Sequence, residues 1–199
     1  ALKLVTRRPG QDFRAMASVS AGNYGMLEAK ASVSGPVSDT LALGLAGIYS
    51  VRDGYVTDRF NNREYNDKNT QGVRGALAWT PTDRLTIDIS ADYSRDDAAM
   101  TLGQPVNNLT TLFGAPLLTV PNPNVYNFTG AATSTLPNST ELQHWGVAGT
   151  ITYEISDSLT FKSITAYRNL QTDDYVDIDA TQLETGDAFV GVDQNQTSQ

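Results

Sequence analysis

Seven short runs along the chain alternate apolar and other side chains with a period of two, and this alternation restricts the fold most strongly. The runs cover residues 13–21, 27–34, 41–49, 72–80, 85–93, 145–153 and 159–167, and an eighth is expected to start near Gln194. Gly, Pro, Asn and Asp bound them, and helical spacing is almost absent. Strict alternation is typical of half-buried β-strands. The sequence therefore predicts an all-β structure.

The connections between these runs alternate in length after the second run. Residues 35–40, 81–84 and 156–158 are short turns, whereas residues 53–69, 96–141 and those after 173 form long connections. Antiparallel strands that cross a bilayer up and down give this order, because short turns collect at the periplasmic rim and long loops at the outer rim. We therefore predict two opposite rims, one with Asp39, Asp83 and Asp157 and the other with Arg59, Pro121 and Asp177.

A short repeat has the length of a membrane crossing. Three segments place a Leu two residues after an Asp and a Tyr ten residues after it, namely Asp39, Leu41 and Tyr49; Asp83, Leu85 and Tyr93; and Asp157, Leu159 and Tyr167. Eight steps from Leu to Tyr at about 3.3 Å each, tilted by about 40°, rise roughly 20 Å, close to the apolar band of an outer-membrane barrel. Trp79, Trp145 and Tyr153 add aromatic residues at both predicted interfaces.

The two faces of the predicted strands differ in charge. Odd-numbered positions of the seven runs hold no charged residue, whereas even-numbered positions carry Arg14, Glu28, Lys30, Arg74, Asp88, Asp92 and Lys162. This contrast indicates a barrel wall with an apolar outer face and a polar lumen. A half-buried soluble sheet also alternates, so the loop lengths and the interfacial aromatics decide in favour of a transmembrane barrel.

Composition excludes several function classes. The net charge of −8 and the pI near 4.5 disfavour nucleic acid as a partner. With no cysteine and one histidine, the chain has no disulfide, no thiolate metal site and too few ligands for a typical zinc site. No apolar stretch is long enough for a transmembrane helix, but a mean hydropathy of −0.30 is compatible with transmembrane strands. We expect no metal, no cofactor and no catalytic residue.

Several segments, taken in order, resemble a TonB-dependent outer-membrane receptor. ALKLVTRRPG resembles the closing strand of the plug, and VSAGNYG resembles the first barrel strand with its tight turn. SGPVSDTLALGLAGIYSVRDGYV is similar to the second and third strands, and LAWTPTDRLTIDISADYSRDD and ISDSLTFKSITAYR to the next hairpins. The resemblance covers nearly the whole chain except residues 98–140.

This resemblance implies a fragment of a larger receptor. Residues 1–10 would be the C-terminal end of a plug domain, and residues 11–199 the N-terminal part of a multi-pass barrel in the outer membrane of a Gram-negative bacterium. The implied function is TonB-energised uptake of a scarce solute, such as an iron chelate, a cobalamin-like compound or an oligosaccharide, without enzymatic activity. The implied partners are the TonB system through the plug, the small solute and outer-membrane lipid. The alternatives are a passive porin-like channel, which would lack ALKLVTRRPG, and a secreted β-sandwich that binds glycans.

A histidine and a string of four aspartates are candidates for a catalytic site and a metal site, respectively, and each has a simpler interpretation. His144 is expected to be a solvated lumen side chain, because the sequence offers no Gly-x-Ser-x-Gly nucleophile motif to accompany it. Asp173, Asp174, Asp177 and Asp179 lack the Gly and the closing Glu of an EF-hand loop, so we interpret them as a polar strand extension and not as a Ca²⁺ site.

Loop residues are the remaining candidates. The uncharged residues 98–140 form the predicted third outer loop, which either meets substrate or is mobile. In the second outer loop, the candidates for ligand contact are Arg59, Arg63, Tyr55 and Tyr65.

Arg7 and Arg8 are interpreted as part of a hinge between the plug and the barrel wall, with their charges facing water at the periplasmic rim. Four N-x-Ser/Thr strings are attributed to composition and not to glycosylation, at Asn108, Asn127, Asn138 and Asn195.

Overall fold

The computed structural model describes residues 6–105, 108–118, 128–132, 135–184 and 186–199. Its strands are β1 (Arg14–Ala21), β2 (Leu27–Ser38), β3 (Leu41–Arg52), β4 (Val56–Asp58), β5 (Glu64–Tyr65), β6 (Lys68–Thr82), β7 (Leu85–Ala98), β8 (Leu109–Thr110), β9 (Pro116–Leu118), β10 (Thr129–Gly130), β11 (Thr140–Ser156), β12 (Leu159–Asp177) and β13 (Asp187–Ser198). Among the described residues, no helix is long and apolar enough to span a membrane.

Eight strands form one antiparallel sheet in the order β1-β2-β3-β6-β7-β11-β12-β13. All seven predicted runs are strands of this sheet, so the all-β antiparallel prediction is confirmed. The predicted start of the eighth strand near Gln194 is wrong, because β13 begins at Asp187. Its first residues, including Phe189 and Val192, pair with the end of β12, which continues to Asp177. The five short strands lie in the long connections and were not predicted.

Strand pairing joins residues of equal parity through the whole sheet. Between β7 and β11, Tyr93 is opposite Trp145 and Asp92 is opposite Gly146. The other six pairs keep the same rule up to the bulges beside the tight turns. Because side chains alternate with period two, odd-numbered residues share one face across all eight strands, and even-numbered residues share the other. We call these the odd face and the even face.

The odd face is apolar and largely uncovered. Leu45 is 56% exposed, Ile89 45% and Phe161 52%, although each lies within a strand. The described residues place no second sheet against this face, and the two small sheets lie in the connections. The architecture therefore differs from a β-sandwich, in which two sheets cover each other's apolar faces.

Aromatic residues border the odd face at two levels. The upper level contains Tyr49, Tyr93, Trp145 and Tyr167. The lower level contains Trp79, Tyr153 and Phe161, of which Tyr153 and Phe161 are register partners between β11 and β12. The expected placement of aromatics near both ends of the strands is confirmed.

The tight turns gather at one end of the sheet. Thr80 donates its backbone N–H to the Thr40 carbonyl at 2.8 Å, and Glu154 donates to the Arg84 carbonyl at 2.8 Å. Arg84 also reaches the Asp157 carboxylate at 3.4 Å. Asp39, Asp83 and Asp157 therefore share one rim, as predicted. Arg59 lies in the connection that follows β3, and Asp177 is the last residue of β12, so both lie at the opposite rim. Pro121 lies outside the described residues.

Candidate functional site

The even face holds a charge network around Asp92. Arg168 donates two hydrogen bonds to this carboxylate, at 2.9 Å and 3.0 Å, and Arg74 donates one at 3.1 Å. His144 lies beside it, with Nδ1 3.7 Å from Asp92 Oδ2. Two guanidinium groups share one carboxylate, so the network carries a surplus positive charge. Its members belong to β6, β7, β11 and β12, and the network therefore ties four neighbouring strands together.

Residues 6–9 lie against the same face. Arg8 pairs with Asp88 of β7, and Arg74 donates a hydrogen bond from its second terminal nitrogen to Thr6 Oγ1 at 3.0 Å. The hinge interpretation of Arg7 and Arg8 therefore needs a correction at Arg8, whose guanidinium pairs with the wall and does not simply face water. Arg7 is exposed.

A close apolar contact accompanies these polar ones. Pro9 is buried, and a Cβ added at Gly44 of β3 would lie 3.2 Å from its Cγ. Glycine at this position lets the segment approach the sheet backbone. Residues 6–9 are thus held on the even face by an ion pair, a hydrogen bond and an apolar contact.

The long connections at the outer rim fold into a structure with its own core. Residues from the β3–β6, β7–β11 and β12–β13 connections bury one another, and we call this assembly the outer cap. Its buried members are Val56, Tyr65, Met100, Leu102, Ala132 and Ala180, with Tyr55, Leu136 and Tyr175 packed against them. Three connections that are far apart in sequence therefore form one unit.

Asparagine side chains fasten the outer cap. Asn66 donates from Nδ2 to the Leu102 carbonyl at 3.0 Å and accepts the Leu102 N–H at 2.7 Å. Asn138 accepts the Met100 N–H at 2.9 Å and donates to the Glu64 carbonyl at 3.3 Å. Backbone polar groups removed from water need such partners. These two amides therefore join the β3–β6 and β7–β11 connections.

The structure separates the four loop candidates of the β3–β6 connection. Tyr65 is 1% exposed and belongs to the cap core, so its prediction as a ligand contact is wrong. Its aromatic ring is the largest buried side chain of the cap, and a sequence alone does not distinguish a buried loop tyrosine from an exposed one. Tyr55 is half-buried, whereas Arg59 and Arg63 are exposed.

The uncharged connection at residues 98–140 is only partly described, and its described parts are built into the cap. Met100 and Leu102 are buried at its start, and Ala132 is buried near its end. Asn138 is a structural residue, as its two hydrogen bonds show. Asn127 lies outside the described residues, and Asn108 and Asn195 are exposed.

The acidic string does not gather into one site. Asp173 and Asp174 lie in β12, on opposite faces, and the strand continues to Asp177, as the strand-extension interpretation expected. Asp177 accepts the Ala180 N–H at 2.8 Å, and Asp179 accepts the Thr181 N–H at 2.9 Å. In the described part of the chain, no three His, Cys, Asp or Glu residues are placed to hold a metal ion.

Two acidic groups at the outer rim have raised pKa values. Burial raises the pKa of the Tyr65 phenol, and the nearby Asp58 carboxylate adds to this effect. Desolvation raises the pKa of Asp187, where Asp179 and Glu184 contribute further like charge.

The sequence located His144 on the even face but missed the network beside it. Alternation had placed Arg74 and Asp92 on one face, and the structure adds Arg168 to the same carboxylate. The sequence feature that points to this network is the set of charged residues at even-numbered positions near the centre of three strands. Their pairing depends on the β7–β11 register, which a long connection does not fix.

No protein-family model matches the chain. Among solved structures, the ferric yersiniabactin uptake receptor FyuA from Yersinia pestis is similar over 85% of this chain and 25% of its own length, with a TM-score of 0.69 and 14% identity. The ferric-catecholate import receptor Fiu from E. coli K12 matches over 96% of this chain and 28% of its own, with a TM-score of 0.66 and 13% identity.

A third similar structure is a mutant of the ferric enterobactin receptor PfeA from Pseudomonas aeruginosa, which matches over 94% of this chain and 27% of its own length. Its TM-score is 0.53 at 13% identity. The chain therefore has the fold of part of these receptors and spans about a quarter of their length.

Proposed function

We propose that this chain is part of a TonB-dependent outer-membrane receptor that imports an iron chelate. One observation carries the proposal: an eight-stranded sheet with an uncovered apolar face has the fold of receptors whose names specify ferric yersiniabactin, ferric catecholate and ferric enterobactin. These names favour an iron chelate over a cobalamin-like compound or an oligosaccharide.

The odd face has the properties of a lipid-facing wall. Its apolar side chains remain exposed, and aromatic residues border them above and below. On β7, the upper Tyr93 is eight residues from Leu85, and eight tilted residues rise roughly 20 Å. A face of this height and composition matches the apolar band of an outer-membrane barrel, which supports a location in that membrane.

We propose the same domain division that the sequence suggested. Residues 1–10 would end the plug, and residues 11–199 would begin the barrel. The contacts of residues 6–9 support this division, because Arg8 with Asp88 and Thr6 with Arg74 hold the segment on the face that a barrel encloses. Residues 1–5 lie outside the described residues. Energy would reach the plug through TonB.

The proposal is tested by uptake of a radiolabelled ferric chelate. The complete gene is deleted in its native host, and uptake of ⁵⁵Fe on a panel of catecholate, phenolate and hydroxamate chelates is measured with and without active TonB. We expect at least one chelate whose uptake requires both the gene and TonB.

Two outcomes would contradict this function. Uptake that depends on the gene but not on TonB would favour a passive channel. A protein that fractionates with the periplasm, and whose electrophoretic mobility is the same with and without heating, would contradict the barrel.

A further inference from the structure

A polar groove interrupts the odd face directly above the upper aromatic level. Its side chains come from β7, β11 and β12, and the space between them has a volume of about 230 Å³. Gln143 is the register partner of Arg95 on one side and of Gln171 on the other. The next row outward adds Glu141 and its partner Asp173. We call these five residues the rim groove.

The rim groove lies at the height of the lipid headgroups in the proposed barrel. Gln143 precedes Trp145 by two residues on β11, and Arg95 follows Tyr93 by two residues on β7. Two residues of a tilted strand rise about 5 Å. Tryptophan and tyrosine mark the membrane–water interface, so a groove one row above them, on the face that contacts lipid, meets the headgroups of the outer leaflet. The groove therefore continues the lipid-facing wall outward.

The two glutamines of the rim groove keep most of their hydrogen-bonding groups free. Both side chains are exposed. The Gln143 amide forms no hydrogen bond with another residue of the described part of the chain, and the Gln171 amide donates one, to Asp193 at 3.4 Å. A side-chain amide has two N–H donors and a carbonyl acceptor. Donors and acceptors therefore remain available to a ligand in the middle row of the groove.

The charge of the rim groove distinguishes between the two chemistries of a glycolipid headgroup, its phosphates and its sugar hydroxyls. Arg95 is the only basic residue on the odd face of the described eight-stranded sheet. Its guanidinium already contacts Asp97 at 2.8 Å and Glu141 at 3.8 Å, and Asp173 adds a further carboxylate. This excess of negative charge repels a phosphate, whereas carboxylates accept hydrogen bonds from hydroxyl groups.

We propose that the rim groove, with the exposed ring of Trp145 below it, binds the sugar headgroup of an outer-leaflet glycolipid. This inference rests on the proposed outer-membrane location and adds a lipid ligand to the proposed function. Planar amide and carboxylate groups match pairs of neighbouring sugar hydroxyls, and the indole of Trp145, which is 44% exposed, offers an apolar surface to the ring carbons. The acyl chains of the same molecule would lie along the apolar odd face beneath the groove.

The test measures equilibrium binding of three fluorescently labelled probes to the complete receptor in a detergent without sugar groups. The first probe is a rough-type lipopolysaccharide. The second is phosphatidylglycerol, which is anionic but has no sugar ring, and the third is the oligosaccharide released from the same lipopolysaccharide, which has no acyl chains. Mg²⁺ is present throughout to screen the lipid phosphates. We expect lipopolysaccharide to bind at least about tenfold more tightly than either of the other probes.

Two variants locate the binding in the rim groove. Gln143→Ala and Gln171→Ala should each weaken lipopolysaccharide binding about 2- to 10-fold, the effect of losing one net hydrogen bond. Gln194 supplies the matched control, because it is a glutamine on the even face of β13 whose register partner, Leu170, is the neighbour of Gln171. Gln194→Ala should bind like the unaltered receptor. All three variants should keep the heat-dependent electrophoretic mobility of a folded barrel, because the replaced side chains are exposed.

Three outcomes would overturn the inference. The first is equal affinity for lipopolysaccharide and phosphatidylglycerol, and the second is a groove variant series in which neither glutamine variant binds more weakly than Gln194→Ala. The third is an oligosaccharide that binds as tightly as the lipopolysaccharide, which would make the ligand a soluble sugar. A receptor that gives any of these results and still takes up a ferric chelate leaves the proposed function intact. A protein that forms no membrane barrel would contradict the proposed function and the inference together.

Discussion

The indole of Trp145 on β11 lies with its ring centroid 5.1 Å from that of Tyr167 on β12, and the two ring planes are 42° apart. Trp145 is also the register partner of Tyr93 on β7. Three adjacent strands therefore present aromatic rings together at the upper edge of the odd face. Tryptophan and tyrosine favour the membrane–water interface, where one end of the ring is apolar and the other is wet.

The apolar face leads to the first prediction, which concerns neighbouring residues of β7. Ile89→Arg places a charge on the odd face and should reduce the folding free energy of the complete barrel by about 2–4 kcal/mol near the bilayer midplane. Ser90→Arg places the same side chain on the even face and should cost much less. Urea titration of folding into lipid vesicles measures both, and equal losses would mean that the faces are assigned wrongly.

The faces were predictable from sequence because they depend on local alternation, whereas the pairings across long connections were not. The two-residue turn after Ser156 brings Gly146 of β11 opposite Arg168 of β12. No such turn sets β7 against β11, so the bidentate contact of Arg168 with Asp92 was unforeseen. The outer cap was not predicted for a related reason. Asn66 and Leu102 lie in two different long connections, and local sequence patterns do not determine which residues of two such connections contact each other.

The second prediction concerns the charge network of the even face. Asp92→Asn removes the negative charge between Arg74 and Arg168 while keeping the side-chain shape. The two guanidinium groups then repel each other and lose charge-assisted hydrogen bonds, which should cost about 1–3 kcal/mol.

The matched control for this variant is Asp157→Asn at the turn rim. Asp157 also pairs with an arginine, but its side chain is 99% exposed, so no measurable change is expected. Both variants are compared by denaturant titration of the folded barrel. A loss at Asp157 as large as that at Asp92 would argue against a specific role for the network.

The third prediction follows from a row of like charges above the upper aromatic level. Glu141 is the register partner of Asp97 on one side and of Asp173 on the other. Arg95 offsets part of this repulsion through contacts of 2.8 Å to Asp97 and 3.8 Å to Glu141. Like charges directly opposite each other destabilise paired strands.

Replacing the central carboxylate should therefore stabilise the sheet. We expect Glu141→Gln to raise stability by a few tenths of a kcal/mol, within the about 0.2–1 kcal/mol range of cross-strand pairs. The gain should shrink at high ionic strength, because these side chains are accessible to screening ions. A decrease in stability at low salt would show that the contact with Arg95 outweighs the repulsion.

The fourth prediction tests the outer cap as a unit. Asn66→Ala removes both hydrogen bonds to Leu102 and places alanine at a φ of 62°. Each backbone group left without a partner costs about 1–3 kcal/mol, so amide exchange at Leu102 should accelerate at least about tenfold. Asn66→Gly, which tolerates the backbone angle, should have a smaller effect. Exchange at Val73, within β6, should not change in either variant.

The last prediction uses the phenol buried in the cap. Burial raises the pKa of Tyr65, so the folded cap disfavours the phenolate relative to the unfolded chain. The stability that the neutral phenol contributes is therefore fully present below the unfolded pKa of about 10. It decreases as the pH rises through the pKa of the folded state. The tyrosinate absorbance of the complete receptor, titrated from neutral pH upward, should therefore contain a component that ionises above about pH 10 and is absent from Tyr65→Phe. The same titration of the denatured receptor supplies the comparison, because unfolding exposes the phenol to water and should lower the midpoint of this component. If the component that Tyr65→Phe removes has the same midpoint in the folded and the denatured receptor, Tyr65 is accessible to water in the folded state, and the cap core does not exist as described.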